Sequence, residues 1–230
     1  MARNIPPITT VPVTGNLLQE LIGANIRMIL EIGAHHGTHT AMFLECFPVA
    51  TVHCFEPDPR AVERHRKNIR DARVSLHERA IGAVNGRAEF HMSGGLPPGA
   101  PPSVQANYPK GWDQSGSLRA PKKHVQKFPW CKFVRVVKVP VSTLDSWTEM
   151  NGIDQIDLIW ADMQGAEGDL ATSGSTALMR TRYLFCEYSN EELYEGEPTL
   201  EALLDMMPGF EVLRRFPFDV LLRNTTLVPA

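Results

Sequence analysis

Met28-Ile29-Leu30-Glu31-Ile32 is a short apolar run that ends on Gly33-Ala34-His35-His36-Gly37, and Thr38 to Phe47 then has helical character up to Pro48. A strand that meets glycines and a helix start must bend sharply, and glycine allows the bend without a Cβ in the way. The pattern repeats at once. Thr51-Val52-His53-Cys54-Phe55 reads as a second strand ending in Glu56-Pro57-Asp58-Pro59. Pro59 suits a first helical position, and Val62 and Ile69 with the stems of His65 and Arg66 make a one-sided stripe up to Asp71. Val74 to Ile81 supplies a third strand. Strands that alternate with helices over 80 residues predict an α/β fold with a mostly parallel, doubly wound sheet.

Upstream, Thr14 can cap a helix carrying Leu17, Leu18, Leu21 and Ile22 on one face, so residues 1–25 read as a leader and helix before a single domain over 26–230. Downstream, Arg87 to Met92 follows the turn Asn85-Gly86 as a short strand, and residues 93–132, opening with SGGLPPGAPP, break the rhythm as a loop-rich excursion. Val134 to Val141 returns to strand, and Leu144 to Met150 is a short helix. Ile156 to Ala161 is apolar enough for a central strand and ends at Asp162. A helix from about Ala166 and a strand Tyr183 to Cys186 ending at Glu187 follow. Leu200, Leu203, Leu204 and Met207 then fall at helical spacing. Phe210 to Phe216 and Asp219 to Arg223 close the chain as an antiparallel hairpin.

With 43% hydrophobic and 21% charged residues, the chain can bury a core and does not resemble disordered or repeat sequences. A net charge of −3 argues against a surface built for nucleic acid. Cys46, Cys54, Cys131 and Cys186 form no CxxC pair, no run approaches the ~20 apolar residues of a membrane span, and the Pro-broken start lacks a signal-peptide core. These features predict buried thiols in a cytoplasmic protein.

The acids at strand ends carry the chemistry. Glu56 ends the second strand 25 residues after Glu31, where a carboxylate can accept from both hydroxyls of a ribose held by the glycine turn. A nicotinamide site would prefer GxGxxG, whose third glycine is missing here. An acid two residues before the first glycine suits a ligand with positive charge, such as the sulfonium and amino group of S-adenosyl-L-methionine. Asp162 caps the most apolar strand and should face the same crevice; it could orient the donor, accept a proton, bind a metal, or simply cap the next helix. Glu187 ends its neighbouring strand in the same manner, and His36 in the glycine turn is a third candidate base. A metal on Asp162 and Glu187 would need more oxygen ligands than the sequence offers, so none is expected.

EIGAHHG, FEPDP, RAIGAVNGRAEF, SGSL, VSTLDSW, IDQIDLIWADMQGAEGDL and LYEGEPTLEALLDMMPGFEVL, in this order over residues 26–224, together resemble the FkbM family of S-adenosylmethionine-dependent methyltransferases. The resemblance implies a Rossmann-like class I methyltransferase sheet of about seven strands and O-methylation of a hydroxyl on a small molecule, saccharide or polyketide-like acceptor. It also implies donor contacts from Glu31, Gly33, Ala34, His35, Gly37, Glu56, Pro57, Ala80, Ile81 and Asp162. Where the family commonly reads KIDVEG, the chain has Trp160 in place of the lysine and Gln164 in place of the glutamate. Those departures keep open a catalytically silent donor-binding module, beside the less favoured nicotinamide-dependent oxidoreductase.

Between Gln114 and Leu144 seven bases, Arg119, Lys122, Lys123, Lys127, Lys132, Arg135 and Lys138, stand without an acid, while the rest of the chain holds 16 bases against its 26 acids. Such a stretch can receive an anionic small molecule or glycan, or it can be a solvated surface.

Overall fold

The computed structural model describes residues 5–228. The Thr14 hydroxyl accepts from the Leu17 N–H at the start of α1 (Gly15–Ile22), a cap worth about 1 kcal/mol, and Leu18 and Ile22 bury the inner face. Then come β1 (Met28–Ile32), α2 (Thr38–Cys46), β2 (Thr51–Phe55), α3 (Pro59–Asn68) and β3 (Val74–His77). The Asp58 side chain caps α3 by accepting from the Arg60 N–H. That helix stops at Asn68, short of Asp71, because Ile69 turns extended.

The single strand expected over Val74 to Ile81 is two strands in two sheets. β3 ends at His77, and β4 (Ala80–Ile81) leaves the main sheet to pair in parallel with β6 (Lys132–Ser142), which pairs antiparallel with β5 (Gly86–Gly94). Gly94 lies opposite Lys132, so the excursion is the long loop of a closed hairpin. It carries the short helices α4 (Pro102–Asn107) and α5 (His124–Lys127).

After α6 (Leu144–Met150) come β7 (Ile156–Ala161), α7 (Gly168–Ser173), α8 (Ser175–Met179), β8 (Thr181–Glu187), α9 (Leu200–Met206), β9 (Phe210–Arg215) and β10 (Asp219–Asn224). The main sheet runs β3-β2-β1-β7-β8-β10-β9, parallel except for β10, which is antiparallel to both β8 and β9. This is the mostly parallel, doubly wound sheet with a closing antiparallel hairpin that the sequence led us to expect.

All six residues of β7 are buried. Ile159 and Ala161 join Leu30 and Ile32 in one apolar cluster, while Leu158 and Trp160 join Ile29 in another, so both faces of the central strands are covered. Each buried large side chain contributes roughly 1.5–3 kcal/mol. The strand order reverses between β1 and β7, and ligands of open α/β sheets settle at the carboxyl ends of strands flanking such a reversal.

Candidate active site

A cavity of about 540 Å³ opens at that reversal. Gly33 and Ala34 after β1, Glu56 and Pro57 after β2, Ala80 and Ile81 of β4, Asp162 after β7 and Glu187 ending β8 all line it. Gly33 lets β1 and β7 close up beneath the cavity: its φ is +89°, and a Cβ there would fall 2.0 Å from the Asp162 carbonyl oxygen. The two edges are tied by the Asp162 N–H, which donates to the Ile32 carbonyl at 2.8 Å.

Glu56 is nearly buried, and each carboxylate oxygen already accepts a backbone N–H, from His35 at 2.8 Å and from Asp58 at 2.7 Å. It therefore ties the glycine turn to β2, with a remaining lone pair on each oxygen for a ligand hydroxyl. Burial pushes its pKa up to about 8, with the nearby charges of Asp58 and Asp113 acting in the same direction.

Three expected site residues are elsewhere. Glu31 is fully buried behind the turn, its Oε2 accepting from the Thr40 hydroxyl at 2.5 Å and the Cys54 thiol at 3.2 Å, and burial raises its pKa to about 7. It shares the strand face of Ile29, which is turned away from the cavity, and is not among the cavity-lining residues. Gly37 starts α2 at φ +87°, and a Cβ there would lie 2.5 Å from Ile69, so packing on α3 explains this glycine. The His36 ring is not among the cavity-lining groups and turns to Asp113.

Asp162 does not cap a helix either. The next helix, α7, begins at Gly168, and Asp162 Oδ1 accepts from Gln164 Nε2 at 2.7 Å. The same amide nitrogen donates to Glu187 Oε2 at 2.7 Å, and the Tyr194 hydroxyl lies 2.9 Å from Gln164 Oε1. Gln164 holds this bridge from a left-handed φ of +51°, followed by Gly165 at +89°. Burial raises the Glu187 pKa well above the carboxylate range, helped by the charges of Asp162, Glu167 and Asp219. Trp160 points to the opposite face, stacked on Phe185 at 3.8 Å, so the departure there is a core substitution.

His39 is a cavity residue the sequence reading passed over, although its place in the first turn of α2 after the glycine turn was a signal for it. It leans on Trp160, 4.6 Å between ring centroids, and burial lowers its pKa against the opposing pull of Asp162. The excursion supplies a whole wall, Trp112 to Gly116 with Leu118, and α5 adds His124 and Lys127. Its docking engages three of the seven bases of the basic stretch: Arg119 pairs with Asp169, Lys122 with Glu192 at 2.5 Å and Lys127 with Glu191 at 3.4 Å. The Ser117 hydroxyl donates to the Gln164 carbonyl at 2.7 Å, sealing the wall to the acid cluster.

Among the described residues, the lining carries four carboxyl groups, of Glu56, Asp113, Asp162 and Glu187, to one ammonium, of Lys127, with apolar Ile81, Phe90 and Leu118 alongside. That combination fits a ligand with a flat apolar part, a ribose and a positive charge, as S-adenosyl-L-methionine has.

Residues 31–216 match the family model described as the methyltransferase FkbM domain. The chain is 43% identical over 205 residues to the 2-O-methyltransferase NoeI of Sinorhizobium fredii (strain NBRC 101917 / NGR234), covering 87% of this chain and 80% of that protein. Among solved structures, a Klebsiella pneumoniae protein described as an O-methyltransferase aligns at 16% identity over 91% of this chain and 79% of its own, TM-score 0.47. Aeropyrum pernix fibrillarin with natively bound S-adenosyl-L-methionine aligns at 15% identity over 90% and 72%, TM-score 0.42. With the strand order, the cavity at its reversal and the family match over most of its length in agreement, the chain belongs to the FkbM family of S-adenosylmethionine-dependent methyltransferases.

Proposed function

We propose that the protein methylates a hydroxyl oxygen of a small-molecule or saccharide acceptor. The observation that carries this reading is the Asp162–Gln164–Glu187 bridge on the cavity wall, where two carboxyl groups on one amide face the same space. When bound, the donor supplies an electrophilic methyl group. Gly33, Ala34, His35, Glu56, Pro57, Ala80 and Ile81 would hold it, as lining residues on the β1, β2 and β4 side of the cavity. Glu187, held by the other arm of the bridge, hydrogen-bonds the acceptor and fixes its orientation. Asp162 either holds the donor's amino group or takes the acceptor's proton as the oxygen gains the methyl, and the amide of Gln164 keeps it aimed. His36 has no part in this scheme. Of the seven bases in the basic stretch, Lys127 lines the cavity and is the group an anionic acceptor would meet. Four free cysteines suit a cytoplasmic setting, and no helix among the described residues is long and apolar enough to cross a membrane.

Methyl-labelled donor incubated with the protein and a pool of hydroxylated saccharides tests the reaction. The label should enter an alkali-stable ether; label confined to alkali-labile ester, or none transferred, overturns O-methylation. The donor site has its own test. S-adenosylmethionine and its demethylated product should raise the melting temperature while NAD does not. Glu56→Ala, which removes a charge-capable acceptor and frees the turn, should weaken donor binding tenfold or more, at least ~1.5 kcal/mol. Unchanged donor affinity in that variant would take Glu56 out of the site.

A further inference from the structure

Asp113 meets the glycine turn from 77 residues away, with Oδ1 2.7 Å from His35 Nε2 and Oδ2 3.1 Å from His36 Nε2. The two imidazoles stack at 3.6 Å between centroids, 19° from parallel, and one ligand atom from each of the three side chains lies within 4.8 Å of the others. We infer that His35, His36 and Asp113 form a binding site for a divalent transition-metal ion of the zinc and cobalt class, which clasps the excursion to the glycine turn. This goes beyond the methyl-transfer reading and does not depend on it.

The donor set is right for such an ion, since two imidazoles and one carboxylate make the facial triad that binds divalent transition metals and leaves further positions open. The spacing is right as well. Metal–ligand bonds of about 2.1 Å give an octahedral edge of ~3.0 Å, close to both nitrogen–oxygen separations. An ion replaces the two Nε2 protons, the rings passing to their Nδ1–H tautomers.

The surroundings also favour a cation. Arg60, the nearby cation, is already engaged by both oxygens of Asp58 and by the Ser93 carbonyl. The side chains are 20%, 11% and 5% exposed for His35, His36 and Asp113, and His35 and Asp113 border the cavity, which gives an ion a route in and water a place to complete the coordination. His35 adopts a left-handed φ of +47°, a conformation that costs a non-glycine residue energy and is retained where it brings two neighbouring rings together. The other such group among the described residues, Glu31, Cys54 and His65, is sealed in the core with the Thr40 hydroxyl already in its centre.

The test is titration of untagged, chelator-treated full-length protein with cobalt chloride and, separately, zinc chloride. The readouts are the visible cobalt spectrum, calorimetry and the melting temperature. One ion per chain is expected, with a rise in melting temperature, and His36→Ala and Asp113→Ala should each weaken binding by about tenfold or more. Asp113→Asn, which keeps shape and one acceptor oxygen, covers the case in which the alanine variant misfolds, and should also lose affinity. Wild-type protein that takes up no stoichiometric ion overturns the site. So does uptake unchanged in folded His36 and Asp113 variants, or uptake abolished by Cys54→Ser alone, which would place the ion in the buried cluster.

Discussion

Gly33→Ala should collapse both stability and donor binding. The added Cβ would sit 2.0 Å from the Asp162 carbonyl oxygen and 3.0 Å from its carbon, both backbone atoms that cannot step aside, and φ at this position is +89°. The clash falls where β1 meets β7 and the Asp162 N–H donates to Ile32, so relief requires parting the two central strands at the mouth of the cavity. Steric overlap and left-handed strain together should cost ~3–4 kcal/mol or more, a fall in melting temperature on the order of 10 °C for a chain of this size. Gly152→Ala is the control: φ is +62° but open space surrounds the position, so only backbone strain, ~1 kcal/mol, is expected. A Gly33→Ala protein that melts like the control and still binds the donor would show that the strands can part cheaply there.

Asp162→Asn should spare the fold and cripple turnover. An asparagine keeps an Oδ1 that can accept from Gln164 Nε2, so the bridge to Glu187 survives. Because the charge of Asp162 helps to raise the pKa of Glu187 and of Asp219, which burial lifts to about 7, removing it relieves like-charge repulsion, and melting should hold or rise. Methyl transfer should nevertheless fall by ~10²-fold or more, the scale of a positioned proton acceptor. Paired melting and turnover measurements separate the roles. Lost turnover with unchanged donor affinity assigns Asp162 to the acceptor's proton, and lost donor affinity assigns it to the donor's amino group. Full activity in a stable variant removes it from the mechanism and leaves His39 and Glu187 as the titratable groups on that wall.

The sequence by itself determined what depends on neighbours along the chain. The glycine turn after β1, the Thr14 and Asp58 helix starts, the all-apolar β7 and the leucine face of α9 follow from backbone preference and periodic burial, which a few adjacent residues express. They place Glu56, Asp162 and Glu187 at the ends of strands, and hence at the cavity. Tertiary structure decided where those strands go and what each side chain meets. Val74 to Ile81 divides between two sheets because β4 finds β6 more than fifty residues later. Glu31, for all its resemblance to a donor contact, lies on the strand face that α2 and α3 cover, where Thr40 and Cys54 receive it. Asp162 becomes part of an amide bridge because Gln164 turns left-handed beside it, and Asp113 reaches His35 and His36 because Gly94 pairs with Lys132 and folds the excursion back over the turn. Contacts of this kind are selected by the summed burial and hydrogen bonding of distant segments, and no local pattern carries that sum.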